Sequence, residues 1–259
     1  MSLEIASLTV SYGRTRIVES LSATLAPGAL AVLIGPNGSG KSTLLKALAG
    51  LLPAQGEVTL GGRQLSARAR QEVIAYMPQD SGAVSSLTLL EVVLLGRQSR
   101  LGLRLDPAMV TAAQAALDHF GLGDLAARRL SEVSGGQRQM VYLAQTLFRE
   151  PQVLLLDEPT TALDLQHQLV VLERVRAFLR QRGGYAVLAL HDLSLAARFA
   201  DHLLCLKAGS LVAAGSVATV MTEARIAELY AVDCSILQDP DGRIAVLPLR
   251  PSEPGAGPA

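Results

Sequence analysis

The chain has 259 residues, 49% of them hydrophobic, which is enough apolar mass for a sizeable core in one large domain or two small ones. Lys and Arg number 23, as do Asp and Glu, so the formal net charge is zero and the basic excess of a nucleic-acid binder is missing. Cys205 and Cys234, the only cysteines, lie far apart and form no CxxC, which fits two core thiols in a reducing compartment.

The opening "MSLEIASLTVSYG" has no continuous apolar h-region, so no secretory leader is expected. No run of 18 apolar residues follows, so no helix is expected to span a bilayer, and the chain reads as soluble by itself. "LEIASLTVSY" alternates like a half-exposed strand, and "ALAVLI" (29–34) reads as a buried one. "STLLKALAG" reads as a helix closed by Gly50, with Pro53 beyond it. "EVTLGGRQL" suggests a strand and turn, and "VIAYMPQ" a further short strand.

From Ser81 to about Ser134 the pattern is helical, with no convincing strand. "TLLE" (88–91) matches a capping box heading "LLEVVLLGR". In "DPAMVTAAQAALDHFGL", Asp106 is the expected N-cap, Pro107 the first helical residue, and Gly121 lies just past the end. "VLLLDEP" (153–159) then reads as a buried strand, followed by a helix from about Leu165 to Arg182 with Leu165, Leu169, Leu172 and Leu179 on one face. "YAVLALHD" is a strand, "LSLAARFA" a helix and "HLLCLKAGSLVAAG" a hairpin-like pair. The tail "RPSEPGAGPA" is Pro/Gly-rich and expected to be disordered. Strand–helix alternation with short connections predicts a mainly parallel α/β core, with residues 81–134 as an all-helical insertion.

Gly35-Pro36-Asn37-Gly38-Ser39-Gly40-Lys41-Ser42 fits G-x-x-x-x-G-K-[ST] between a predicted strand and a predicted helix. In that context backbone N–H groups wrap phosphates, Lys41 reaches the outer ones, and the Ser42 hydroxyl is placed for Mg²⁺. Asp157 and Glu158 end an apolar strand, where side chains point into the ligand crevice. Asp157 can hold the Mg²⁺, and Glu158 can accept a proton from an attacking water. His191 follows another apolar strand. Alone it would read as a structural histidine, but behind a phosphate loop it reads as a γ-phosphate contact; His119, His167 and His202 keep the structural reading. Gln79, where core and insertion join, could touch Mg²⁺ or the water, and Tyr12 could stack on a purine or simply pack.

"VSGGQ" opens a second helix suited to an anion, with Ser134 as N-cap and Gly135 and Gly136 leaving the first N–H groups uncovered. A whole helical segment separates the two cradles. The economical arrangement is a two-fold dimer in which Ser134, Gly135 and Gly136 of one chain close on the nucleotide held by the other. The plainer alternative is a well-capped helix.

"GPNGSGKST", the glutamine of "YMPQD", "VSGGQ", "LLLDEP", "TALD" and the histidine of "ALHD" stand in the order of the ATP-binding cassette (ABC) ATPases, which residues 1–220 resemble. The resemblance implies a P-loop NTPase core with an N-terminal antiparallel β part and an inserted helical subdomain. It implies one ABC ATPase domain over residues 1–249, with a C-terminal extra at about 221–249 and residues 250–259 as the tail. It implies a head-to-tail dimer with ATP and Mg²⁺ sandwiched between P-loop and signature. Gln79, Glu158 and His191 then resemble the catalytic Q-loop glutamine, glutamate and switch histidine, with Gln79 also a metal contact beside Ser42 and Asp157. Tyr12, Thr43, Gln137 and Asp164 join the nucleotide contacts by motif match. Val133 and Thr161 depart from the family's common Leu and Ser, and neither is expected to touch the chemistry.

"LLEVVLLGR", "GGQRQMVYLAQTL", "LDLQHQ", "LHDLSLAARFADHLLCLKAG" and "VDCSILQDPDGRIAVLPL" look like importer ATPases for iron–siderophore complexes, haem and cobalamin, the last most like the siderophore branch. This implies an ATPase peripheral on the cytoplasmic face of a membrane. It would drive a separate permease, and a periplasmic or surface binding protein indirectly, with no nucleic acid involved. Residues 81–134 would supply a groove for the permease, for which "LTLLEVVLLG" is apolar enough, although about half of such stripes are simply core. A nucleic-acid or ribosome-acting ABC protein would carry two cassettes or a coiled coil. Here there is one P-loop, and only 54 residues separate Gln79 from Ser134. An iron–sulfur assembly ATPase is the remaining alternative.

Overall fold

The computed structural model describes residues 2–79, 85–100, 106–161 and 163–252, with the backbone alone at 98–100. Asp80, Ala162, the first residues of the expected insertion (81–84) and the expected tail from 253 on lie outside the described residues.

The fold is built on a six-stranded sheet. Its parallel strands are β3 (Leu30–Ile34), β6 (Ile74–Met77), β7 (Val153–Asp157), β8 (Tyr185–Ala189) and β9 (His202–Lys207), and β10 (Ser210–Gly215) runs antiparallel on β9. The order is β10-β9-β3-β8-β7-β6. Strands 3, 7 and 8 are continuous apolar runs because both sheet faces are covered.

Alternate residues feed two cores. Ala31, Leu33, Val153, Leu155, Val187 and Leu204 face α1 (Lys41–Leu48) and a second, antiparallel sheet. That sheet has the order β2-β1-β4-β5, from β1 (Leu3–Tyr12), β2 (Thr15–Leu25), β4 (Gln55–Leu60) and β5 (Arg63–Gln64). Within β1 the buried positions run Leu3, Ile5, then Leu8 and Val10, because a register shift with Ser7 at φ 49° moves the apolar set back to the core face. The antiparallel partner β2, unread in the sequence, buries Val18, Leu21 and Leu25 in the same layer.

On the other face, Val32, Ile34, Leu154, Leu156, Leu188 and Leu203 meet helices. These are α5 (Gly135–Phe148), α6 (Leu165–Arg182) and α7 (Leu193–Phe199), together with the helical segment containing α3 (Leu89–Leu94) and α4 (Pro107–Asp118). Another short helix, α2 (Ala67–Val73), leads into β6. Among the described residues from 85 to 134 there is no strand, only a bridge between Thr88 and Arg129.

Of the two readings of the stripe in residues 87–96, Leu89, Val92, Val93 and Leu94 take the core one, because α3 packs against α4 and α5. One expectation changes here. The core face of α6 is Val171, Leu172, Val175 and Leu179. Leu165 is 78% exposed, because as the first helical residue it lies short of the packed turns.

After β10, the last described elements are α8 (Val217–Val220), α9 (Glu223–Tyr230) and a hairpin of β11 (Val232–Gln238) and β12 (Ile244–Pro251). Arg250 and Pro251, expected in a disordered tail, belong to β12. Arg250 and the Ser252 hydroxyl both donate to Asp233, and the Ser252 N–H donates to Ala231. Proline is tolerated there because β12 is an edge strand whose missing N–H costs no ladder bond.

Candidate nucleotide site

Strands β3, β8, β7 and β6 are neighbours, and each is followed at its carboxyl end by a residue the sequence singled out: Gly35, His191, Glu158 and Gln79. This is the crevice where parallel sheets hold ligands. A cleft of about 690 Å³ opens there, lined by Tyr12, Ile17, the loop from Asn37 to Thr43, Gln79, Glu158 and His191.

The phosphate loop is held open by the absence of side chains. A Cβ on Gly35, at φ 151°, would lie 2.1 Å from the Leu206 carbonyl oxygen. Gly40 caps α1 in the left-handed conformation and has no side chain to bond the helix end. Helices α2 to α7 and α9 all begin with a Ser, Thr or Asp whose own oxygen accepts an end N–H. Those of α1 are left for an anion, with the macrodipole in its favour. The Ser39 hydroxyl, buried in this loop, has no partner in the structure.

Lys41 donates to the carbonyls of Gly35 at 2.7 Å and Pro36 at 3.1 Å. Burial pushes its pKa down, and the carboxylates of Glu158 and Asp157 oppose that shift. Asp157 is buried, and desolvation pushes its pKa up against the hydrogen bonds it accepts. Ser42 donates to its Oδ1 and the Tyr76 hydroxyl to its Oδ2, each at 3.0 Å. Two hard oxygen groups thus meet beside a phosphate cradle, a donor set that suits Mg²⁺.

Glu158 has φ 53°, a costly conformation for a side-chain residue that aims its carboxylate into the cleft. Its Oε2 accepts from Gln79 Nε2 at 2.6 Å and Thr161 Oγ1 at 3.2 Å, while Oε1 pairs with His191 Nε2. The Glu158 backbone carbonyl accepts from Gln139 of α5 at 3.1 Å. Thr161, expected to stand clear of the chemistry, thus lies in direct contact with the Glu158 carboxylate. Gln79 spends its amide N–H on Glu158, away from the Ser42–Asp157 pair. Tyr76, Ile17 and Gln139 were not identified from sequence, since no local spacing marks a residue that arrives from another element.

The remaining predicted residues stand elsewhere. Ser134, Gly135, Gly136, Gln137 and Asp164 line a second cavity of about 910 Å³, which shares no lining residue with the first. Ser134 and Gln137 form a reciprocal capping box. Asp164 caps α6, accepting from the His167 backbone N–H at 2.8 Å and facing its ring at 2.7 Å. His119 and His167, read as structural, line this cavity too. Cys205 and Cys234 are buried and free, as expected of core thiols.

Comparison with known proteins agrees with this geometry. Residues 18–161 match the family model described as ABC transporter. The chain is 41% identical to the achromobactin transport ATP-binding protein of Dickeya dadantii, over 90% of this chain and 89% of the relative. It is 37% identical to the iron(3+)-hydroxamate import ATP-binding protein of Bacillus subtilis, over 92% of this chain and 91% of the relative. Similarity to the hemin import ATP-binding protein of Ruegeria sp. is equal in degree, 38% over 96% of this chain and 98% of the relative. Among solved structures, a metal-chelate type ABC transporter in an inward-facing conformation superimposes with TM-score 0.82 at 26% identity, over 96% of this chain and 97% of that one.

Proposed function

The chain belongs to the ABC transporter family and is an ATPase of it; from that premise we propose that it powers uptake of an iron(III)–siderophore complex through a separate membrane permease. The observation that carries the ATP-site assignment is the phosphate cradle of the first cavity, where the start of α1 has no side-chain cap, while the Ser134–Gly136 turn lies in a separate cavity. Two copies arranged head to tail would place the Ser134–Gly136 turn of each on the nucleotide of the other. Among the described residues no helix is long and apolar enough to cross a membrane, which suits a peripheral subunit on the cytoplasmic face.

Phosphates would be held by the loop from Gly35 to Thr43, with Lys41 exchanging its carbonyl partners for the outer phosphate oxygens and Tyr12, 52% exposed at the cleft mouth, offering a ring to the base. Ser42 and Asp157 would hold Mg²⁺, which would supply neutralisation of the phosphate charge. Glu158 takes the proton of the attacking water. As the water oxygen bonds to the γ-phosphorus, the bond to the bridging oxygen breaks and ADP leaves with that electron pair. With Gln79 and Thr161 on Oε2 and His191 on Oε1, one lone-pair position of Oε1 remains for the water.

The siderophore assignment rests on the C-terminal resemblance and on the relative named for iron(3+)-hydroxamate. The test is expression of tagged Glu158→Gln at native level, with membranes solubilised gently in Mg-ATP and co-purifying proteins identified by mass spectrometry. The variant is expected to bind ATP, hydrolyse it about 10²–10⁴-fold more slowly, and retain a polytopic membrane protein in stoichiometric amount. Only soluble partners, with the ATPase absent from membranes, would overturn the transport reading. In a strain lacking the chain, loss of haem or cobalamin uptake with ferric-siderophore uptake intact would reassign the cargo.

A further inference from the structure

The hydrolytic reading gives no task to the C-terminal unit, yet one of its side chains reaches the phosphate loop. Tyr230, the last residue of α9, accepts a hydrogen bond from the Gly35 N–H at 2.7 Å. The β3 ladder ends at Ile34, opposite Cys205, so this N–H has no strand partner and would otherwise be orphaned. Gly35 also has the widest conformational freedom of any residue on the loop's entry. Its carbonyl, in turn, is the acceptor that holds Lys41 at 2.7 Å. Holding the Gly35 N–H fixes the Ile34–Gly35 peptide plane, the platform from which the loop leaves the strand.

The anchor itself is firm. Ile226 and Leu229 bury α9 in the main core, Thr222 caps its start, and Lys207 of β9 donates to the Glu228 carbonyl. Ala231 closes the helix at φ 53° and accepts from the Ser252 N–H, which ties the helix end to the final hairpin. Burial pushes the Tyr230 hydroxyl up to about 12, so it stays protonated over the working range.

We propose that Tyr230 is a positioning residue of the nucleotide site, through which the C-terminal unit presets the entry of the phosphate loop. It acts through Gly35 and touches no phosphate. The proposal rests on the reading of the 690 Å³ cleft as the ATP site.

Tyr230→Phe keeps the ring and removes only the acceptor. Left unpaired, the Gly35 N–H must turn toward another partner, and nucleotide binding must then restore the loop. The Kd for a fluorescent ATP analogue and the KM for ATP are expected to rise together by about tenfold, with kcat within about twofold. Val220→Ala, in α8, truncates the same unit without touching Gly35; it is expected to lower Tm and leave KM unchanged. A Tyr230→Phe protein that melts lower but binds ATP like wild type would overturn the proposal, as would a Val220→Ala protein with the same rise in KM. Lys41→Ala separates the two readings. Lost binding in Lys41→Ala beside unaltered binding in Tyr230→Phe rejects the positioning role alone, whereas wild-type binding in Lys41→Ala removes the ATP site and this inference with it.

Discussion

Asp157 can serve a cation only if its carboxylate is held in one orientation, and the hydroxyl of Tyr76 is one of the two groups that hold it. Tyr76→Phe leaves Oδ2 without its donor in a place where burial already disfavours the charged form. The Mg²⁺ concentration for half-maximal hydrolysis is expected to rise about three- to tenfold, with kcat at saturating Mg²⁺ within about twofold. A Mg²⁺ titration of the ATPase reads this directly; an unchanged midpoint would show that Ser42 alone suffices. That Lys41, Ser42 and the loop glycines Gly38 and Gly40 share one cleft was legible in the sequence because they lie within eight residues of one another. Tyr76 and Thr161 were not, because each acquires its role by meeting a carboxylate from another strand or turn. Tyr230 lies 195 residues from Gly35, and nothing in the pattern around it announces the contact.

Elements were legible where caps and periodicity agree. The helix α6 runs from Leu165 to Arg182 as expected, with Asp164 bonding its start and Gly183 ending it at φ 65°. Likewise "TLLE" gives the reciprocal box of α3, in which Thr88 and Glu91 bond each other's backbone N–H. Removing it by Thr88→Ala is expected to cost about 1 kcal/mol, lowering Tm by about 2–4 °C for a chain of this size. The backbone N–H and hydroxyl of Thr88 hold the Glu91 carboxyl below its usual pKa. A depressed carboxylate contributes stability above its unfolded pKa, about 4.3 for Glu, and that contribution fades as pH falls through the folded value. The gap in Tm between wild type and Thr88→Ala should therefore narrow in acid, as paired melting curves at falling pH would show. What the sequence concealed at this scale was β2 and the end of β12. A strand broken by bulges loses strict alternation, and prolines that read as disorder are compatible with an unpaired edge.

At the scale of the molecule, the proposed arrangement makes each active centre belong to two chains, and that can be tested without any structure of the dimer. Lys41→Ala removes the phosphate contact of the chain that carries it, and Ser134→Arg fills the start of α5 in the second cavity. Each variant alone is expected to form only defective sites. In a mixed dimer, the unaltered loop of the Ser134→Arg chain faces the unaltered Ser134 of the Lys41→Ala chain, while both defects fall together in the other site. Random pairing of equal amounts puts half the chains in mixed dimers with one intact site each, so about a quarter of all sites should be whole. Hydrolysis in the mixture should then rise above that of either variant toward about a quarter of the wild-type rate. If both cavities instead served a nucleotide bound within one chain, mixing could restore nothing, and the mixture would show only the mean of its parts.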